Sequence, residues 1–134
     1  MGMQNLNIWA ILAAALSAFV LGGLWYSPLL LGGLWKKANG FAANQPEPPT
    51  AKTFMITFVI SLVMAFNLAM FLNDAKTTVV WGATAGFLAG FGWVAMGIAI
   101  VSLFERKPWS YVLVNGGYLN VALVLMGTIL GGWR

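Results

Sequence analysis

The 134-residue sequence contains no cysteine and no histidine. Thiol nucleophiles, disulfides, imidazole general bases, thiolate or imidazole metal sites and c-type haem attachment are therefore excluded. Acids are scarce too: Glu47, Asp74 and Glu105 are the only three, against seven Lys and Arg. Charged residues make up 7% of the chain, where an ordinary soluble domain carries about 25%, so a water-facing surface cannot be built from them. The net charge of +4 would suit nucleic acid only if the basic residues formed a stripe. They lie between apolar stretches instead, and no nucleic-acid partner is expected.

What fills the chain is hydrocarbon: 60% of it is apolar. The uncharged stretches run 1–35, 53–73, 77–104 and 108–133, each at least as long as the ~20 residues an α-helix needs to cross a bilayer. The sequence predicts a single all-α membrane domain over 1–134, with four transmembrane helices at about 6–27, 51–73, 78–104 and 109–133. No Lys or Arg precedes the first span, so it lacks the basic start of a signal peptide. Ser27-Pro28 interrupts it, because proline has no N–H and disfavours the α conformation in the residue before it. Residues 28–38 then read as a short interfacial helix: Leu29, Leu30, Leu31, Leu34 and Trp35 are apolar, Lys36 and Lys37 are basic, and Asn39-Gly40 is a stop signal. The alternative is one long first helix kinked at Pro28. Residues 41–50 form a polar, Pro-rich loop, with Thr50 as N-cap of the second span. Asn73–Lys76 and Glu105–Pro108 read as tight turns, with Pro108 at the first helical position of the last span.

Small residues recur at four-residue spacing on every span: Ala10, Ala14, Ala18 and Gly22; Ser61, Ala65 and Ala69; Gly82, Gly86 and Gly90; Gly127 and Gly131. In lipid, helices associate through close backbone contact, so these ridges are the expected packing surfaces. They serve either the bundle itself or a homo-oligomer, and Gly82/Gly86/Gly90 is the stripe expected to meet another protomer. No carboxylate falls within a span, which removes the residue a proton- or cation-coupled exporter needs. The polar groups within the spans are neutral. Asn67, Asn115, Tyr118 and Asn120 lead them, with Ser17, Ser61, Thr84 and Thr128 elsewhere. Asn115 and Tyr118 are three apart and share a helix face, while Asn120 points elsewhere. Trp25, Tyr26, Ser27 and Pro28 mark the broken helix end, whose free carbonyls can face a cavity. These eight residues are the candidate polar site. A three-residue echo, Phe19-x-x-Gly22-x-x-Trp25 and Phe87-x-x-Gly90-x-x-Trp93, hints at internal duplication.

The runs L-G-G-L-W-Y-S-P-L-L-L-G-G-L-W-K-K at 21–37, F-E-R-K-P at 104–108 and V-N-G-G-Y-L-N at 114–120 resemble a family of small bacterial four-helix membrane proteins known only as a domain of unknown function. Its Trp-Tyr-Ser-Pro signature is matched by Trp25, Tyr26, Ser27 and Pro28, and its Asn-x-Gly-Tyr run by Asn115, Gly117 and Tyr118. The family often carries His after that Tyr; Leu119 stands there in this chain. The resemblance implies a fold and a bacterial inner-membrane location, and no activity. No cofactor and no metal are expected, and no enzyme, since the spans hold no acid, base or nucleophile set. The expected partners are the lipid bilayer, a bound lipid and further copies of the chain. The expected role is an oligomeric passive pathway or binding site for neutral or amphipathic molecules. The alternative is an accessory subunit on a larger membrane complex.

Orientation follows from the basic residues. Lys36, Lys37, Lys52, Arg106 and Lys107 fall on one side, Lys76 and Arg134 on the other, which puts both termini outside the cytoplasm. Trp9, Trp81 and Trp133 would then mark the outer interface, Trp25, Trp35, Trp109 and Tyr111 the inner one, and Trp93 the midplane. A periplasm-dependent reporter fused after Arg134 or inserted at 74–76 is expected to be active, and the same reporter in the 41–50 loop silent. The reverse pattern would invert the topology.

Overall fold

The computed structural model describes residues 6–41 and 49–134. The described chain folds into α1 (Ile8–Trp25), α2 (Gly32–Asn39), α3 (Ala51–Phe71), α4 (Val79–Phe104) and α5 (Trp109–Gly132), with no strand among the described residues. Four of these, α1, α3, α4 and α5, are long and apolar enough to cross a membrane, as the sequence predicts. The polar loop expectation falls mostly on 42–48, outside the described residues, and Glu47 lies with it.

Side chains cap the starts of α1, α3 and α4. Asn7 caps α1 through Oδ1, which accepts from the N–H groups of Trp9 and Ala10. Thr50 and Thr78 do the same for α3 and α4, so orphan donors find partners that lipid cannot supply. Pro108, placed in sequence at the first helical position, is instead the N-cap, with an extended ψ of 159°. The 73–76 turn is held by Asp74, whose Oδ1 accepts from Lys76 N–H and whose carbonyl accepts from Thr77 N–H.

The helix break at Ser27-Pro28 is present, but the second helix begins at Gly32 and not at Pro28. Residues between them make a compact turn instead. Leu31 N–H donates back to Trp25 O, while Leu30 and Gly32 both donate to Ser27 O. Ser27 Oγ turns back to Leu24 O at 2.7 Å and so does not cap the next helix. Helix α2 starts only where a glycine allows the chain to close on itself: a Cβ on Gly32 would fall on Tyr26 O and 2.7 Å from Ser27 O. At its other end α2 stops at Gly40, in the left-handed region at φ 71°.

The bundle is organised around α5, which packs against α4, α1, α2 and, more lightly, α3. Helix α3 rests mainly on α1, through ridges whose Ala10, Ala14, Ala18, Ala65 and Ala69 are all buried. The tightest contact joins α4 to α5. A Cβ on Gly82 would fall on Gly127 O, one on Gly86 on Leu123 O, and one on Gly131 on Thr78 O. The glycine stripe is therefore used inside the protomer. The backbone that fills the groove along this stripe belongs to the same chain.

Midway along α4 the helix widens into a six-residue π segment, Gly90–Ala95. Gly90 opens it at the point where Asn120 of α5 comes closest: a Cβ there would lie 2.7 Å from Asn120 Oδ1 and 2.8 Å from its Cα. The extra residue in this turn is a feature no periodicity argument predicts.

Gly86→Leu is expected to lower stability by about 3 kcal/mol, the upper range for overpacking a filled contact. The loss should appear as unfolding of the protomer in thermal or denaturant titration in detergent. Change in assembly size with the protomer still folded would instead return the stripe to a subunit interface.

Candidate functional site

The sequence points to one polar cluster, and the structure separates it into three places. The first is a knot where α1 breaks. Trp25 Nε1–H donates to Val114 O at 2.8 Å, and Tyr26 O–H donates to Asn115 Oδ1 at 2.6 Å. Tyr118 O–H donates to Ala18 O at 2.9 Å. The rings stack around these bonds: Tyr26 lies edge-on to Tyr118 at 5.5 Å and to Trp35 at 5.6 Å, and Trp35 meets Phe41 at 5.4 Å. Asn115 and Tyr118 do share a face, as their spacing predicts, yet each spends its polar atom on α1 or its end. Gly22 and Gly117 make room for this packing, since a Cβ on either would press the Tyr118 hydroxyl at 3.0 Å or the Trp25 ring at 3.1 Å. Trp25 and Tyr26 therefore anchor the broken end of α1, and with it the start of α2, onto α5. Pro28 is exposed and touches none of these bonds.

The second place is Asn120, on α5. Its Oδ1 is buried and has no hydrogen-bond partner among the described residues. It faces Gly90 at the start of the π segment and not the Asn115–Tyr118 face.

The third place is a cavity beside Asn67. Asn67, placed by sequence among buried polar residues, is exposed. It lies on α3, four residues before the helix ends at Phe71, about 6 Å from that end at 1.5 Å per residue. It faces an apolar groove of about 650 Å³ between α3 and α4. The two helices are joined by a short turn yet hardly pack on each other, each being held by a different neighbour, so a lateral cleft is left between them. Met64, Leu68 and Phe71 form one wall, Trp81, Leu88 and Trp93 the other, and Leu123 of α5 the floor. Trp81 and Trp93 are twelve residues apart, which makes the cleft roughly 18 Å long, more than half of the ~30 Å hydrocarbon of a bilayer. Trp93 reaches it from the π segment and is 80% exposed.

Asn67 has no hydrogen-bond partner among the described residues, in contrast to the neighbouring hydroxyls. Ser17, Ser61, Thr84 and Thr128 all donate to carbonyls of their own helices. An unpaired amide costs ~4–8 kcal/mol to move from water to hydrocarbon on the cyclohexane scale, so Asn67, beside apolar walls, has much to gain from a partner. A smaller cavity of about 250 Å³ lies at the end of the bundle where the described termini meet the 73–76 turn. Its polar lining is already engaged: Asn7 Nδ2 donates to Trp133 O, and the Arg134 guanidinium to Asp74 O and Leu130 O. These bonds tie the C-terminal end of α5 to Asn7 and to the 73–76 turn. No metal-binding cluster of Asp and Glu occurs among the described residues.

A compact set of four membrane-length apolar helices, with a broken first helix locked onto the last, defines a small all-helical protein of the membrane-spanning type. The chain belongs to the family described as "Protein of unknown function (DUF1761)", whose sequence model matches residues 9–131. No curated protein matches it, and no solved structure does.

Tyr26→Phe and Asn115→Ala are expected each to destabilise the fold. Their double-mutant cycle should return a coupling of ~0.6–2 kcal/mol, the range for interhelical hydrogen bonds in membranes. Zero coupling in equilibrium unfolding from mixed micelles would remove the bond as an anchor of α2.

Proposed function

We propose that this chain is a non-enzymatic membrane protein that holds the hydrocarbon chain of a neutral amphipathic molecule in the cleft between α3 and α4. The observation that carries the reading is the cleft itself: apolar, open sideways, about 650 Å³ and free of charged side chains. A lateral apolar opening in a bilayer is filled by hydrocarbon, which packs against its walls by dispersion. The remaining polar groups of the spans support a binding role and not catalysis. Those of the α1 break are committed to each other and to carbonyls, and no acid–base or nucleophile pair faces the cleft.

The positive-inside bias supports a bacterial inner-membrane orientation with the 73–76 turn, and so the Asn67 end of the cleft, toward the periplasm. One molecule would then lie in the outer half of the bilayer, with its chain directed toward Trp93. The reading needs no second copy of the chain, since the glycine stripe is already filled by α5.

A long-chain fatty alcohol carrying a photoactivatable diazirine on its chain, added to the detergent-purified protein, should label the walls at Met64, Leu88 and Trp93. Leu88→Trp adds bulk at an exposed wall position and should cut that labelling about tenfold, equivalent to ~1.4 kcal/mol of binding. Labelling spread evenly over all exposed apolar faces, and unchanged by Leu88→Trp, would contradict the reading.

A further inference from the structure

We infer that Asn67 selects which molecule occupies the cleft, by hydrogen bonding a neutral hydroxyl, amide or ester carbonyl that lies one helical turn below the periplasmic end. This rests on the chain-binding reading above and adds the chemistry of the guest. The side-chain amide offers two donors and one acceptor, and nothing among the described residues uses them. Every other wall side chain is hydrocarbon or aromatic, and the only further N–H groups are the indoles of Trp81 and Trp93, one toward each end. The amide is thus the single strong hydrogen-bonding feature along the cleft, and it stands near one end.

Its position sets the guest's orientation. Phe71, the last residue of α3, and the turn with Asp74 and Lys76 lie just beyond Asn67 on the end side, while Leu88 and Trp93 extend away from it. A molecule whose polar group meets Asn67 therefore points its chain along the rest of the cleft toward the bilayer midplane. Charge is selected against at that depth, because no ionised side chain lines the cleft to compensate an ammonium, phosphate or carboxylate.

The polar group and the hydrocarbon can be tested apart. Competition of the photolabel is measured on the full chain with 1-hexadecanol and with hexadecane, which share a chain and differ in one hydroxyl. The wild-type protein should prefer the alcohol by about tenfold, the range for a hydrogen bond made in place of an unpaired amide. Asn67→Leu should bring the two competitors to equality while hexadecane still competes, and Asn67→Gln, which keeps the amide, should retain part of the preference. Asn67 is exposed, so both variants should fold, with an unchanged melting temperature as the check. An undiminished alcohol preference in a folded Asn67→Leu variant overturns the role of Asn67 and leaves the chain-binding cleft standing. Failure of both competitors against the wild-type protein overturns the cleft reading itself.

Discussion

The contact on which the rest of the structure depends is the backbone-to-backbone approach of α4 to α5. Gly82, Gly86, Gly127 and Gly131 each present no side chain, and each stands where the opposite backbone occupies the space a Cβ would need. Without water exclusion as a driving force, helices in lipid gain most from such contact, since dispersion and weak backbone interactions fall off steeply with separation. Helix α4 is consequently held by α5 along its length, and α3 by α1. The two pairs meet through α5, and nothing draws α3 and α4 together. The cleft is the remainder of that arrangement: a gap left because the adhesive surfaces of its two walls face elsewhere.

The second constraint is the end of α1. Proline stops the helix, but the fold is decided by what the freed end does next. The 27–31 turn consumes its own carbonyls and amides, Gly32 lets the chain close tightly, and Trp25, Tyr26 and Tyr118 lock the junction to α5. The pseudo-repeat of Phe-x-x-Gly-x-x-Trp acquires a structural meaning here. Gly22 receives Tyr118 and Gly90 receives Asn120, so a polar side chain of α5 seats against a glycine on each flanking helix. The two Trp residues then diverge: Trp25 is bonded to Val114 O, whereas Trp93 is turned outward by the π segment.

Much of this was legible in the residues. The span count follows from charge-free length, the break from Ser27-Pro28, the cap of α3 from Thr50, and the close packing of Gly82/Gly86/Gly90, though not its partner helix, from spacing. Three features were not. The start of α2 at Gly32 depends on a turn whose hydrogen bonds are not encoded in helix propensity. The π segment arises where α5 crowds Gly90, which is a tertiary effect with no period of its own. The exposure of Asn67 reflects a missing neighbour, and a sequence records which residues a helix has and not which helix fails to pack against it. The polar residues of the spans are for that reason a structural knot, a buried oxygen at Asn120 and the lining of a cleft.

The central claim is that α3 and α4 stand apart in the membrane with room for a guest chain between them. The natural absence of cysteine makes it directly measurable, because any introduced pair is the only pair present. A disulfide needs Cβ atoms about 3.5–4.5 Å apart. The cross-cleft pair Met64→Cys/Leu88→Cys should therefore stay reduced under oxidising conditions in native membranes. Ala95→Cys/Gly116→Cys, where an added Cβ on residue 116 would lie 3.2 Å from the Ala95 Cβ, should close efficiently on the other face of α4. Rapid disulfide formation across the cleft, at the rate of the Ala95–Gly116 pair, would show that α3 and α4 meet in the bilayer and would contradict the account.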